Sequence, residues 1–231
     1  MKETNSTTPL AGLPDNAGGF RQSPPPGEET DGRRRRRVRN REAVVDALLD
    51  LYQEEILRPN TDEIAERAGL SPRSLFRYFE DVDDLASAAV ARQQLRALPY
   101  LDIAAGPGEE QSVRVKALVD QRFRLFNEVG QAARVTRLRA PFQPVVAALL
   151  AQNRSFLREQ VRQLFDSELG CLQPARARGI IAALDILASF ESYDLLLHDQ
   201  ALSPAQAKAA MAGSFAAVLG SAAATNSPGA D

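Results

Sequence analysis

The sequence holds one cysteine, one histidine and no tryptophan in 231 residues, and aromatic residues make up 6% of it. A lone Cys171 cannot form an intrachain disulfide, and there is no thiolate cluster to hold zinc. With His198 as the only imidazole, His-dependent triads and His/Cys metal sites have almost nothing to be built from. An all-carboxylate site stays open in principle, but no spacing points to one, and no nucleophile motif or phosphate loop is present. An enzyme is therefore not expected, and neither is a metal or a cofactor. Apolar runs long enough to span a bilayer are missing, as is the basic-then-apolar layout of a signal peptide in the first ten residues. A cytoplasmic protein without membrane contact is the expectation. Strand-like alternation and internal repeats are also absent, which leaves an all-α chain.

An overall excess of positive charge is lacking too: 28 Lys and Arg stand against 30 Asp and Glu, a net charge of −2. The positive charge is instead local. Arg33, Arg34, Arg35, Arg36, Arg37, Arg39 and Arg41 crowd together just before the first amphipathic pattern. Ahead of them, residues 1–32 are rich in Pro, Gly, Ser and Thr, with almost no apolar periodicity, and cannot bury enough surface to offset their ordering entropy. Residues 1–37 thus read as a disordered basic arm, suited to follow phosphates or enter a minor groove through Arg37 and Arg39.

The helical reading begins at residue 39, where Val44, Val45, Leu48, Leu51, Tyr52 and Ile56 recur at three- and four-residue spacing up to about Leu57. Asn60 with Glu63 three residues on is a capping box, opening a short helix that ends at Ala68. Gly69 supplies the turn. Ser71 and Pro72 open a third helix, read as running to about Phe79, and Asp81 opens a fourth that stops near Pro99. Ile64, Ala65 and Ala68 face Leu70, Leu75 and Phe79. A small residue at a steep helix crossing, a turn glycine and a short second helix with a polar outer face make a helix-turn-helix. Its second helix leaves Pro72, Arg73, Ser74, Phe76, Arg77 and Tyr78 outward. Arg73 and Arg77, four apart, are suited to guanine N7 and O6, and Ser71, Ser74 and Tyr78 to phosphates, with Phe76 placed for a thymine methyl. Asn60 and Thr61, at the start of the preceding helix, complete the expected DNA-binding set. The partner is double-stranded DNA.

Residues 41–85, and above all Thr61-Asp-Glu-Ile-Ala-Glu-Arg-Ala-Gly-Leu-Ser-Pro-Arg-Ser-Leu-Phe-Arg-Tyr-Phe79, resemble the DNA-binding domain of TetR-family transcriptional regulators. The resemblance implies a three-helix head (38–84), a connecting helix (85–99) and an all-helical C-terminal domain (108–222) that dimerises and often binds a small molecule. It also implies a repressor released by its ligand, with an effector-independent regulator or an activator as the alternatives left open by the sequence. Two departures stand out: Asp81, Asp83 and Asp84 follow where the family frequently has a lysine, and Arg77 stands where many relatives carry histidine.

Beyond residues 102–110, read as a hinge, helices are expected near 110–129, 131–139, 141–169, 174–198 and 204–219, with a frayed tail at 223–231. The fourth of these is apolar on more than one side, and the last is rich in small residues. Together they predict an isologous homodimer through Ile181, Leu184, Leu187, Ala188, Ala209, Ala212, Gly213 and Ala216. Phe123, Phe126, Phe142, Phe156, Phe190 and Tyr193, with Arg137 for a polar end, are the candidate lining of a cavity for a lipophilic effector.

Overall fold

The computed structural model describes residues 26–56 and 58–224; the expected disorder of residues 1–25 and the tail beyond 224 lies outside them. Among the described residues every regular element is helical, and none is long and apolar enough to cross a membrane.

Helix α1 (Pro26–Gln53) starts well before the expected residue 39. The described part of the basic arm is thus helical, and the arginine run sits inside the helix. Proline opens it at a position where no N–H is missed, arginine is a good helix former, and Asp31 pairs with Arg35 one turn on. Residues 31–37 are exposed. From Val38 onward the described residues form one compact unit. There α1 buries Val44, Val45, Leu48, Leu49, Leu51 and Tyr52. It stops at Gln53, short of the expected Leu57, because Glu55 adopts a left-handed conformation (φ 65°). The Glu55 and Ile56 amides then donate to the carbonyls of Tyr52 and Leu51, each at 3.0 Å. This is a glycine-type helix stop made without glycine, so no residue type announces it.

Helix α2 (Thr61–Arg67) has the expected capping box. Asn60 Oδ1 accepts from the amides of Asp62 and Glu63 at 2.9 Å, and the Asn60 amide donates to Glu63 Oε2 at 2.7 Å. It closes on Gly69 (φ 66°), with the Leu70 amide donating to Ala65 at 2.9 Å. Helix α3 (Pro72–Leu75) is a single α turn, tightened to residue 78 by three-residue hydrogen bonds from Arg77 to Ser74 and Tyr78 to Leu75. It is shorter than the sequence implies. Helix α4 (Val82–Ala97) begins on Asp81, whose Oδ1 accepts from the Asp84 amide, and ends in a 3-10 turn, Leu98–Tyr100.

Helix α5 (Gln111–Arg139) runs without a break through Gly130, where two helices were expected. A mid-helix glycine costs about 1 kcal/mol, which the buried neighbours Phe126 and Ala132 on the turns either side offset. The expected helix 141–169 is instead two, α6 (Pro144–Leu164) and α7 (Asp166–Gly170), broken at fully buried Phe165. The expected helix 174–198 also divides, into α8 (Pro174–Leu187) and α9 (Phe190–Asp194). Ser189 breaks it by accepting from the Ser192 amide and donating to the Ile186 carbonyl. A π turn (Leu195–Asp199) follows, and α10 (Pro204–Ala224) completes the fold.

Two cores result. In the head, Val44, Leu48, Tyr52, Ile64, Ala65, Leu75 and Phe79 pack together with Ala89 of α4 and with Ala132 and Val135 of α5. In the body, Leu118, Phe126, Phe165, Leu184, Phe190 and Phe215 are central. Because α5 enters the head core, residues 102–110 are a loop between packed elements rather than the expected hinge between independent units. Arg92 and Arg96 of α4 reinforce the head by gripping Asp46 of α1 at 2.7–2.9 Å, and hydrogen bonding from Arg92 is the main reason the Asp46 carboxyl is held below its usual range.

Gly69 has open space where a Cβ would lie, so Gly69→Ala tests backbone conformation alone. It is expected to destabilise the protein by about 1–2 kcal/mol in urea unfolding.

Candidate nucleic-acid interface and internal cavity

The outer surface of α2–α3 holds the predicted DNA-binding residues on one short segment. Arg73 and Arg77 are exposed, and among the described residues neither guanidinium has a hydrogen bond or ion pair. Phe76 is 69% exposed, an unusual position for a large apolar ring in water unless something covers it. Pro72 is exposed and sets the helix start. Ser71, expected to cap α3, instead shares a hydrogen bond with Ser74 at 2.9 Å. Asn60 has its carbonyl oxygen occupied by the cap, which leaves its amide N–H groups outward, and Thr61 beside it is half-buried. Arg39 is exposed on α1, as is Arg37 on the preceding stretch of that helix.

Tyr78 departs from its expected role. Its hydroxyl accepts from Asn40 Nδ2 at 2.7 Å, tying the end of α3 to α1, and only its own proton is left for a phosphate. Arg41 makes a second tie: its guanidinium lies 4.6 Å from the Phe79 ring centroid and pairs with Asp84. Asp84 also accepts from the Glu80 amide. The acidic stretch after the recognition segment therefore fastens α4 to α1. The Asn40–Tyr78 and Arg41–Asp84 ties were not legible in the sequence because the partners lie about forty residues apart, beyond any local pattern.

A cavity of about 390 Å³ lies between α4, α5, α6 and α9. Of the predicted lining, Phe126, Arg137, Phe156 and Phe190 border it. Phe123 and Tyr193 do not; they pack edge to face in the body core with ring centroids 5.1 Å apart. Phe142 is 85% exposed in the turn between α5 and α6. Aromatic character alone could not separate core, cavity and surface. The unforeseen lining includes Val90, Gln93 and Ala97 of α4, Leu98 of the 3-10 turn that follows it, and a Gln94–Asn153 hydrogen bond of 2.9 Å. Ala132 both borders the cavity and belongs to the head core.

Charged groups frame this region. Arg137 donates to both oxygens of Glu191 at 2.9 and 3.2 Å, lies 4.3 Å from the Phe190 ring centroid, and shares Glu191 with Arg154. Burial pushes the Glu191 carboxyl up, but hydrogen bonds from Arg137 and Arg154 and the Arg137 charge outweigh it and bring it to about 2. Deeper in, Arg122 is fully buried and donates to Gln121, Gln160 and the Leu157 carbonyl. Gln121 and Gln160 in turn donate to the carbonyls of Tyr100 and Leu101. Burial without a bonded carboxylate lowers its guanidinium to about 10. The C-terminal end of α4 is thus anchored to α5 and α6.

The predicted dimer surface needs correction on α8. Leu184 is fully buried and Ala188 nearly so in the chain's own core, with Ile181 and Leu187 packed against it. The exposed face is the opposite one: Ala175, Arg178, Gly179, Ala182 and Ile186. A helix apolar all round has no periodicity to say which stripe turns inward. On α10, Ala209, Gly213 and Ala216 are exposed as expected, whereas Ala212 packs on the core.

Glu191 gives a pH test. Its folded value lies below its ordinary 4.5, so its contribution to stability is complete above about pH 4.5 and is lost as pH falls toward 2. Glu191→Gln should flatten the acid limb of a melting-temperature profile across that window and leave its slope near neutrality unchanged.

No family sequence model matches the chain, and no curated protein matches it in sequence. Solved structures do match. A TetR-family transcriptional regulator from Streptomyces coelicolor is 22% identical, with a TM-score of 0.64 over 81% of this chain and 83% of its own. A transcriptional regulator from Rhodococcus sp. Rha1 is 16% identical, with a TM-score of 0.60 over 78% and 96%. A Rhodococcus sp. regulator assigned to the TetR family is 19% identical, with a TM-score of 0.54 over 78% and 98%. The all-helical arrangement from α1 to α10, with its helix-turn-helix at the N-terminal end of one packed unit, is the fold of the TetR-family transcriptional regulators.

Proposed function

We propose that the protein is a sequence-specific DNA-binding transcriptional regulator: a homodimer that places one α3 per protomer in the major groove of a palindromic operator and acts as a repressor relieved by a lipophilic effector. The observation that carries the reading is the pair Arg73 and Arg77, exposed and unpaired among the described residues on a helix-turn-helix braced from behind by Asn40 and Arg41. A guanidinium held that way can meet guanine N7 and O6 without first breaking an ion pair. Pro72, Ser74 and Phe76 would contact the same groove, and Thr61 and the Asn60 amide the flanking phosphates. Arg33–Arg37 would add phosphate contacts, and the work would be done in the cytoplasm, on the nucleoid.

The alternative of a regulator without an effector calls for a filled body core. The 390 Å³ cavity favours the ligand-responsive form, since it falls in the range of small-molecule sites, about 300–1,000 Å³. Sequencing the genomic fragments retained by the purified protein tests the main reading. The wild type should enrich an inverted repeat. Arg73→Ala and Arg77→Ala should each lose about 1–3 kcal/mol of discrimination at their own base pairs, whereas glutamine at residues 33–37 should weaken the salt dependence and keep the preferred sequence. Retention without sequence preference would refute it.

For the dimer, the supporting observation is the exposed apolar and small-residue face of α8 and α10, with Ile186 at 66% exposure beside a run of alanine and glycine. Ile186→Arg should give a folded monomer in sedimentation and lower operator affinity. A wild type that sediments as a monomer at micromolar concentration would rule the arrangement out.

A further inference from the structure

The cavity wall carries charge of one sign. Among the described residues, Arg137 of α5 and Arg154 of α6 are the charged ones that line it, and no carboxylate does. Both guanidiniums turn to one acid, Glu191 of α9, which stands behind the lining. Two cations and one anion leave the cluster with a single uncompensated positive charge. Each guanidinium has five N–H donors, more than the two oxygens of one shared carboxylate can satisfy. Of the neutral polar groups nearby, Gln94 is engaged with Asn153 at 2.9 Å and the Thr136 hydroxyl with the Ala132 carbonyl at 2.7 Å, while the buried side-chain amide of Gln93 on α4 has no hydrogen-bond partner among the described residues. The rest of the wall is hydrocarbon and aromatic, including Val90, Leu98, Phe126, Val129 and Leu157.

Building on the reading of this cavity as the effector site, we infer that its ligand is a lipophilic monoanion, a carboxylic acid or similar, whose head group joins Glu191 between Arg137 and Arg154 and whose hydrocarbon body lies along the apolar wall. One negative charge neutralises the cluster, and arginine meets a carboxylate through paired, charge-assisted hydrogen bonds. A neutral amphiphile of the same length gains the apolar contacts and a hydrogen bond to Gln93, but leaves the positive charge of the cluster uncompensated. A lipophilic cation meets a wall of its own sign, with no acid lining the cavity to receive it.

Isothermal titration of the full-length protein with one alkyl series tests this: decanoate, decanamide and decyltrimethylammonium, together with carboxylates from hexanoate to palmitate, all below micelle formation. The best carboxylate should bind about tenfold or more tighter than the amide, and the ammonium weakest, with the carboxylate advantage shrinking as sodium chloride is raised. Arg154→Gln should remove most of that advantage. Glu191→Gln, which frees both guanidiniums, should tighten carboxylate binding, a gain that misfolding cannot produce. If the amide or the ammonium binds as well as the carboxylate, the assignment of an acid is wrong while the effector site stands. If no member of the series binds, the effector reading falls and the acid with it.

Discussion

Two side chains of α5, Ala132 and Val135, sit in the hydrophobic core of the helix-turn-helix head, the same core that holds Leu75 of α3. The head alone is too small to bury a full core; it completes one by borrowing a helix from the body. Since Ala132 also borders the cavity, and since α4 supplies both cavity lining and the salt bridges to Asp46, the two regions share walls rather than a linker. Buried Arg122 fixes the far end of α4 through Gln121 and Gln160. An occupant of the cavity would therefore act on a helix held at one end and joined to the head at the other. It could shift the balance of head positions only by its preference for one of them, each tenfold of preference being worth about 1.4 kcal/mol.

Charge is distributed along the same lines. The net charge of −2 hides a division of labour among the arginines. Arg92, Arg96, Arg114, Arg134 and Arg137 are bound to carboxylates and join helices to one another. Among the described residues, Arg73 of α3 and Arg77 just beyond it are not. Pairing status, rather than total charge, marks the side of the molecule suited to a polyanion.

The head was legible in the sequence because its signals are local. A cap at Asn60, a left-handed turn at Gly69 and a Ser-Pro start at Ser71 each act within a few residues, and α2 and α3 start where those signals put them, although α3 is shorter than its pattern implies. What was not legible depends on tertiary contacts or on conformations the residue types do not advertise. Glu55 ends α1 in a conformation usually left to glycine. Gly130 reads as a break but is carried through α5 by packing on both sides, whereas Ser189, which reads as helical, turns its hydroxyl onto the backbone and ends one helix while capping the next. The inward stripe of α8 could not be chosen from a pattern apolar on every side, and the ties Asn40–Tyr78 and Arg41–Asp84 join residues far apart in the chain. Among the aromatics, residue type could not tell Phe126 and Phe190, which border the cavity, from Phe123 in the core or Phe142 in solvent.

The central proposition is that two copies of α3 present arginines to guanines in the major groove. Methylation interference on a retained DNA fragment addresses it at atomic resolution, because dimethyl sulfate marks guanine N7, the atom a groove-reading guanidinium would contact. Two symmetric clusters of interfering guanines, about one helical turn or a whole number of turns apart, with the interference relieved at matching positions in Arg73→Ala or Arg77→Ala, is the expected pattern. Binding indifferent to guanine N7 methylation, or protection confined to a single cluster, would contradict it.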